Sequence, residues 1–305
     1  MAKLTLRQLE LMAALPDYRT MSEAATALHV SESGLSQAVS EVERIVGEQL
    51  CVRRKAKGLQ MTPAGQYFAQ RSRRIVEEAG SLVDELSANR GEITGPIRVG
   101  CYVGFSGTIL PPAVAHFARE HPRARVEVRV GGDDELLPEI HRGTLDFALL
   151  YDISLPADLN RRAIYPTEVT AALPADHRLA GRAAVSLTDL VDDPVILLDT
   201  APSTCHTHRV FAEFGVSPTI RTLVPTIDLA RAFIGRGMGY GLLMSRPHAP
   251  DMSPEGLPLV TLPLSPRTGM TNVVATWPQQ MTLSPRAEAL LDKLIETMAS
   301  GAQVR

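Results

Sequence analysis

Residues 24–46 read AATALHVSESGLSQAVSEVERIV, and this stretch decides the fold of the first part of the chain. Its alanines and leucines favour a helix, but the run is interrupted by Val-Ser-Glu-Ser-Gly. Ser31 stands where a helix N-cap belongs, and Leu35, Val39 and Val42 follow at spacings of four and three. The pattern therefore predicts a helix, a tight corner and a second helix with one apolar face.

The opposite face of the second helix is polar. Ala24 and Ala25 are small enough to let the first helix pack closely across the second, and Ser22 is placed to cap the first. Short hydroxyl and amide groups on the polar face can meet base edges or phosphates. The candidates are Glu32, Ser33, Ser36, Gln37 and Ser40. This is the sequence pattern of a helix-turn-helix, whose second helix enters the major groove.

A basic segment follows the two helices. It contains Arg53, Arg54, Lys55 and Lys57, and Gly58 comes next, where a tight turn is easily formed. Taken alone, the segment fits a solvated loop equally well. Because it directly follows a helix-turn-helix, we predict a wing whose cations lie along phosphates and bind with strong salt sensitivity.

A long helix is predicted to begin at Thr62-Pro63, with threonine as the cap and proline in the first turn. Apolar and small residues then recur in a heptad pattern, which is typical of a dimerising helix. Packing against its own domain is the alternative explanation. The seam contains Phe68, Ser72, Ile75, Ala79, Leu82 and Leu86.

From Ile93 onward, short apolar runs alternate with helical segments, and the alternation occurs in two successive blocks. This alternating pattern predicts parallel α/β sheets in two lobes with a cleft between them. In such sheets, ligands bind beyond the carboxyl ends of the strands.

The order LRQLELMAAL, SEAATALHVSESGLSQAVSEVERIVGEQL and RRKAKGLQMTPAG resembles the DNA-binding end of LysR-type transcriptional regulators, and the remainder has that family's length and pattern. The resemblance implies a multidomain fold: an N-terminal all-α winged helix-turn-helix, a long linker helix, and a C-terminal two-lobed α/β effector domain like periplasmic binding proteins. We expect these parts at 1–62, 63–92 and 93–305, with lobe I at about 93–163 and 267–305 and lobe II at about 164–266.

The resemblance implies a sequence-specific DNA-binding regulator controlled by a small molecule between the lobes. By motif position, DNA contacts fall on Glu32, Ser33, Ser36, Gln37 and Arg53. Gln37 stands where the family often has arginine, and Ser33-Gly34 replaces the usual proline-alanine, so we expect a different sequence preference. The expected partners are double-stranded promoter DNA, an unidentified small-molecule effector and further copies of the chain as dimer or tetramer. RNA polymerase is a further candidate, and no membrane is expected.

Effector-binding candidates lie where strands end and helices begin, because helix N-termini present unpaired N–H groups that favour anions. In lobe I they are Cys101, Tyr102, Gly104, Ser106 and Thr108, and in lobe II Ser203, Thr204 and Thr226. Ser203 and Thr226 are equally well explained as simple helix caps.

Asp133 is the main departure from the family pattern, since relatives that bind small carboxylates usually have a neutral hydroxyl residue there. A carboxylate in the pocket would repel an anionic effector and favour a hydroxyl or ammonium group. We favour a different role, in which Asp133 caps the helix that begins there and points away from the ligand. The charge of the effector stays open.

Composition limits the function classes. The chain has 305 residues, 45% of them hydrophobic, and no apolar run of membrane-spanning length, so we expect a cytoplasmic protein. Its net charge of -3 means that any nucleic-acid surface must be local. The scattered Cys51, Cys101 and Cys205 suit a reducing compartment, and we expect Cys51 to be a small core residue.

The sequence gives little support for metal binding, thiol sensing, catalysis or a purely architectural role. Cys205 and His208 would share a helix face, but two ligands do not make a closed zinc site, so no metal is expected. Thiol or redox sensing is the alternative to effector control, although no resolving cysteine is close in sequence. We find no nucleophile elbow, P-loop or complete dinucleotide fingerprint, so we expect neither an enzyme nor a cofactor. A purely architectural DNA-binding protein would not need the cleft.

Overall fold

The computed structural model describes residues 4–54, 58–88, 93–247 and 250–301. The chain forms two compact units, one ending at Glu92 and the other beginning at Ile93. Of the four predicted wing cations, Lys55 and Lys57 lie outside the described residues. No helix in the described part of the chain is both long and apolar enough to cross a membrane.

The first unit is mainly helical. Its two short strands pair antiparallel as a hairpin, which confirms the predicted wing. The elements are α1 (Leu6–Ala14), a 3-10 turn (Leu15–Asp17), α2 (Met21–Ala27), α3 (Glu32–Val46), β1 (Cys51–Arg54), β2 (Gly58–Met61) and α4 (Pro63–Ala88).

Helix starts in the first unit follow the predicted capping with one exception. The Ser31 hydroxyl accepts a hydrogen bond from the Gly34 N–H at 3.0 Å, and Thr62 caps α4 in the same way. The prediction that Ser22 caps α2 is wrong. Thr20 is the cap, accepting from the Glu23 N–H at 3.1 Å, because the chain is already helical from Met21.

The seam predicted along α4 divides into two parts. Phe68 packs against the core of the first unit, and Ser72 is almost completely buried. Ile75 is 45% exposed, so it is free to meet another surface. The side chains of Leu82 and Leu86 lie outside the described residues. The first part of the seam therefore serves its own unit, which is the alternative that the sequence left open.

The second unit contains ten strands, five α-helices and one 3-10 helix (Leu187–Leu190) in the described residues. Its strands are β3 (Gly95–Tyr102), β4 (Ala124–Gly131), β5 (Phe147–Tyr151), β6 (Leu159–Thr167), β7 (Val169–Pro174), β8 (Val195–Leu198), β9 (Ile220–Val224), β10 (Gly241–Met244), β11 (Leu259–Pro263) and β12 (Thr271–Pro278). Its helices are α5 (Ser106–Glu120), α6 (Asp133–His141), α7 (Ser203–Glu213), α8 (Ile227–Gly235) and α9 (Pro285–Gly301).

Lobe I is built on a five-stranded sheet in the order β4-β3-β5-β12-β6. Strand β3 is parallel to β4 and β5, whereas β12 is antiparallel to both of its neighbours. Strand β12 lies near the end of the chain in sequence, so the chain comes back to lobe I at β12. Strand β6 stays in this sheet up to Thr167, which pairs with Thr271, so the expected lobe boundary at 163/164 falls inside β6.

Lobe II has an antiparallel sheet in the order β10-β7-β11 and a parallel pair, β8 and β9. A bridge between Val195 and Tyr240 joins the two. The expectation of parallel sheets is therefore wrong for β7, β10, β11 and β12. Local periodicity shows that a segment is a strand, but strand direction depends on which distant segment pairs with it.

Strand β8 is buried on both faces, as its uninterrupted apolar run indicates. Val195 and Leu197 pack into the same core as the α7 residues, while Ile196 and Leu198 pack into the core that contains α8. Helices α7 and α8 thus cover opposite faces of the sheet. Helix α7 begins just after the carboxyl end of β8, the edge at which α/β sheets commonly bind ligands.

Gly65 offers a steric test of the first unit. Gly65→Ala would place the new Cβ 1.8 Å from the Leu50 carbonyl oxygen, so we expect the unit to lose about 2 to 3 kcal/mol of unfolding free energy. Gly80→Ala in the same helix is the control, because its Cβ meets no described atom within 4 Å; it should stabilise by up to about 1 kcal/mol. Urea unfolding of both variants measures the difference, and equal effects would contradict this packing.

Candidate functional site

Helix α3 presents a polar surface on the side opposite its buried face. Leu35, Val39 and Val42 are completely buried in the core of the first unit. The five residues predicted to contact DNA from this helix share the other side, where all are exposed except half-buried Ser36: Glu32, Ser33, Ser36, Gln37 and Ser40. The structure therefore brings these five residues together.

The polar side chains on α3 differ in their hydrogen bonds to other residues of the protein. The Ser33 hydroxyl lies 3.2 Å from the Ser31 hydroxyl, and the Ser40 hydroxyl donates to the Ser36 carbonyl at 3.0 Å. The Gln37 side chain makes no hydrogen bond to any residue that the structure describes. Since a glutamine amide can pair with both N6 and N7 of adenine, Gln37 is the residue on α3 best suited to direct base recognition.

The wing is held to α3 by a buried connection. A Glu43 carboxylate oxygen accepts hydrogen bonds from the Leu50 N–H at 2.8 Å and the Cys51 N–H at 3.1 Å. Cys51 is 2% exposed, which confirms its predicted place in the core. Arg53 and Arg54 follow within β1. The start of β1 is thereby fixed relative to the helix that carries the polar surface.

In the second unit, Tyr102 joins the two lobes. It ends β3 of lobe I, and its hydroxyl lies 2.7 Å from the Thr200 hydroxyl and 2.6 Å from the Ser203 hydroxyl of lobe II. The guanidinium of Arg246 makes a second connection, because its Nη1 donates to the Gly104 carbonyl at 3.0 Å. We refer to these five residues as the lobe junction.

A small cavity lies at the lobe junction, and its volume of about 20 Å³ suits one water-sized molecule. Three of the predicted effector-binding residues line it: Tyr102, Gly104 and Ser203. Sequence reasoning missed several others, including Tyr151, His206 and Thr207. Tyr151 ends β5, so the strand-end rule that selected Tyr102 also applies to it. His206 and Thr207 follow Ser203 by one helical turn.

Besides Asp133, five predicted effector-binding residues do not line this cavity. Cys101 lies in the core of lobe I, and burial raises the pKa of its thiol. The remaining four bear hydroxyls that bond to nearby groups of their own segments, as small hydroxyl side chains at helix starts commonly do. The structure therefore does not bring these side chains to the cavity at the lobe junction. The five residues are Cys101, Ser106, Thr108, Thr204 and Thr226.

The structure also overturns the capping role favoured for Asp133. Gly132 is the N-cap of α6, and the Asp133 side chain makes no capping hydrogen bond. Asp133 is only 8% exposed, and its Oδ1 has no hydrogen-bond partner among the described residues. Its backbone N–H donates to the Ala201 carbonyl of lobe II at 3.4 Å. The buried carboxyl group therefore lies beside the lobe junction.

The electrostatics of this region follow from burial. Burial raises the pKa of Asp133 to about 7, and the charge of neighbouring Asp134 adds to the effect. Burial is also the largest cause of the raised pKa of Tyr102, to which the charge of Asp133 contributes. Asp133 is therefore divided between its protonated and ionised forms near neutral pH, unlike an ordinary aspartate.

In the described structure, the Cys205-His206-Thr207-His208 segment does not form a metal-binding site. Cys205 is exposed, whereas burial and the adjacent Arg209 lower the pKa of His206. The Arg209 guanidinium lies 2.7 Å from His206 Nδ1. Within the described ranges, no group of three or more histidine, cysteine and carboxylate side chains is placed to hold a metal ion.

Family comparisons agree with this arrangement of two units. The LysR substrate binding domain matches residues 90–299, and the bacterial regulatory helix-turn-helix protein, lysR family, matches residues 6–66. The chain belongs to the LysR family. A LysR protein of this kind is a DNA-binding transcriptional regulator with an effector-binding domain, and the predicted fold class and function are thereby confirmed.

Individual relatives extend the comparison. A probable hydrogen peroxide-inducible genes activator of Mycobacterium avium is 32% identical over 253 residues, which cover 78% of this LysR chain and 77% of the relative. The structure of HinK, a LysR family transcriptional regulator from Pseudomonas aeruginosa, matches with 29% sequence identity and a TM-score of 0.62. The match covers 97% of this chain and 99% of HinK. The C-terminal domain of a probable LysR family regulator from Rhodococcus sp. RHA1 has 39% identity and a TM-score of 0.63, covering 66% of this chain and 99% of that one.

The raised pKa of Asp133 makes the stability of this LysR protein depend on pH. The folded state holds the Asp133 proton up to about pH 7, whereas the unfolded chain releases it near pH 4, so stability should fall as pH rises between these values. We expect Asp133→Asn to flatten this part of the pH profile. Thermal unfolding of the full chain from pH 4 to 8 measures the slope.

Glu135→Gln is the control for Asp133→Asn, because Glu135 is an exposed carboxylate in the same turn of α6. It should leave the slope between pH 4 and 7 nearly unchanged. A wild-type slope that Asp133→Asn does not alter would show that Asp133 ionises normally.

Proposed function

We propose that this LysR-family chain regulates transcription without a catalytic step, by binding a small effector at the lobe junction. Residues 1–62 would contact promoter DNA, 63–92 would link and dimerise, and 93–305 would bind the effector. The location would be cytoplasmic, where bacterial DNA is available. The observation that carries the effector proposal is the Tyr102 hydroxyl, which contacts Thr200 and Ser203 of the other lobe.

The size of the junction cavity suggests how an effector would act. A cavity of about 20 Å³ cannot hold an organic molecule while the lobes keep these contacts. A larger effector would have to replace the Tyr102 contacts and bind a second arrangement of the lobes. Because a ligand shifts an equilibrium only by its unequal affinity for two states, the effector must prefer that arrangement.

Asp133 determines which effector chemistry fits the junction best. A carboxylate ligand would place two like charges in poorly solvated surroundings, which is unfavourable. An ammonium or hydroxyl group would instead donate to the unpartnered Asp133 Oδ1. The hydroxyls of Tyr102 and Ser203 can adapt as donors or acceptors. We therefore propose a small amine or polyol as the effector class.

A panel of small amines and polyols tests the effector class. A ligand at about one hundred times its dissociation constant should add roughly 2.7 kcal/mol of stability, visible as a higher melting temperature of the full chain. For an amine, Asp133→Asn should remove most of the shift, whereas the Glu135→Gln control should keep it. Failure of every amine and polyol to stabilise the wild type, or an unchanged shift in Asp133→Asn, would contradict the proposal.

Thiol control is the second candidate, and the name of the Mycobacterium avium relative draws attention to it. Cys101 is buried and its raised pKa keeps it a thiol, so it is a poor nucleophile. Cys205 is exposed, but the other two cysteines in the chain are buried, so no accessible thiol is available to resolve it. We therefore propose control by a bound ligand instead of thiol oxidation.

Association of two or more copies of the chain would place their DNA-binding surfaces side by side. Tyr67 and Ile75 on α4 are 65% and 45% exposed, which leaves apolar surface for a second copy. On lobe I, Val128 and Val130 are exposed on β4, an edge strand of the sheet. Two or four copies would present pairs of α3 helices to a two-fold symmetric promoter site. RNA polymerase is a further proposed partner.

Two substitutions separate base recognition from phosphate contact. Gln37→Ala should change sequence preference, with a loss of about 1 to 3 kcal/mol of discrimination at one base pair. Arg53→Ala should weaken binding to all sequences and reduce the salt slope by about one. Fluorescence anisotropy with specific and random duplexes at several salt concentrations measures both effects.

Arg125→Ala is the control for lost positive charge, since Arg125 is an exposed arginine of the second unit. It should leave both the salt slope and the sequence preference unchanged. Wild-type binding by Gln37→Ala and Arg53→Ala across all duplexes would argue against α3 and the wing as the DNA-binding surface.

A further inference from the structure

Lobe II contains a second, larger cavity of about 400 Å³. It is lined by parts of β7, β10 and β11, by one residue of α8, and by Ser245, Arg246 and Asp251, which follow β10. Its wall is partly apolar, through Leu243, Met244 and Val260, and partly charged, through Arg231, Arg246 and Asp251. We refer to it as the arginine cavity. None of the residues predicted from the sequence to bind the effector lines it.

Arg231 is the unusual member of this cavity. It lies on α8 and is only 5% exposed. Its Nη2 donates to the carbonyl groups of Pro250 and Met252, but its Nε and Nη1 have no hydrogen-bond partner among the described residues. Asp228 and Asp251 are near enough to interact with its charge, but neither forms an ion pair with it in the described part of the chain. A guanidinium that is mostly withdrawn from solvent and has no ion-pair partner is stabilised when an anion binds beside it.

A second guanidinium increases the positive charge of the arginine cavity. Burial is the largest cause of the lowered pKa of Arg231, and the positive charge of Arg246 is the next. Asp251 and Asp228 act in the opposite direction, but only Asp251 lines the cavity. Two guanidinium groups therefore face one carboxylate, which leaves the cavity attractive to a single negative charge.

We propose that the arginine cavity binds a small monocarboxylate with an apolar body. A planar carboxylate matches the donor fork of a guanidinium and can use the free Nε and Nη1 of Arg231. Leu243, Met244 and Val260 would cover the apolar part of the ligand. Asp251 would repel a second negative charge, so a monoanion fits better than a phosphate dianion.

Arg246 connects this cavity to the lobe junction. Its Nη1 donates to the Gly104 carbonyl of lobe I, and its side chain also lines the arginine cavity of lobe II. A bound carboxylate would compete with the Gly104 carbonyl for that donor and weaken one of the hydrogen bonds between the lobes. This consequence rests on the proposed control through the lobe junction, whereas binding of the carboxylate does not.

Calorimetric titration of the full chain with sodium benzoate tests the inference. Benzamide has the same shape without the charge, and inorganic phosphate supplies charge without the apolar body. We expect benzoate to bind and both comparison ligands to bind at least about tenfold more weakly. Arg246→Gln should weaken benzoate by about tenfold or more, and Arg231→Gln should abolish its binding.

Arg236→Gln is the matched control, because Arg236 is an exposed arginine of lobe II that pairs with Glu255 and does not line the cavity. Its affinity for benzoate should stay within about twofold of the wild type, since exposed ion pairs contribute little. If Arg231→Gln does not fold, Arg246→Gln decides the outcome.

Three results would overturn the inference: no benzoate binding to the wild type, equal binding of benzamide, or wild-type affinity in Arg246→Gln. Stronger binding of phosphate than of benzoate would also reject the proposed ligand class. The titration contains neither amine nor DNA. A negative result would therefore leave the proposed effector at the lobe junction untouched, and failure of the amine panel would leave the arginine cavity untouched.

Discussion

The pairing of β12 between β5 and β6 is the constraint on which the second unit depends. A strand from the far end of the chain fills the middle of the first lobe's sheet and hydrogen-bonds along both sides. The chain must therefore leave lobe I after β6, build lobe II and return. Two chain crossings result, with the carboxyl ends of β3 and β5 facing the start of α7. The cleft is a consequence of this connectivity.

Within that cleft, a few polar side chains connect the two lobes. The Tyr102 hydroxyl and the Arg246 guanidinium each join one lobe to the other with a short hydrogen bond. Asp133 sits nearby with a buried carboxyl oxygen that the protein itself does not satisfy. Packed cores resist gradual deformation, so the loss of such contacts favours a discrete second arrangement over a continuous drift. In the proposed function, such a change would report effector binding to the DNA-binding unit.

The charges in the second unit, Asp133 in lobe I and Arg231 and Arg246 in lobe II, suit two different ligand chemistries. Asp133 favours a donor at the lobe junction, whereas Arg231 and Arg246 favour an anion in the neighbouring cavity. Arg246 takes part in both places. Because coupling between two ligands is reciprocal, a carboxylate that alters this contact would change the affinity for the amine, and the amine would change that for the carboxylate.

Local sequence determined much of this protein. The spacing of Leu35, Val39 and Val42 and the cap at Ser31 specified the recognition helix, because helical periodicity and capping depend on near neighbours. Tertiary structure alone decided the direction of β7 and β10 and the environment of Asp133. An aspartate at a helix start looks like a cap in any sequence, but Gly132 takes that position and the fold buries the carboxyl group instead. Likewise, Arg231 and Arg246 share a cavity only because distant strands bring them together, and no local pattern records that.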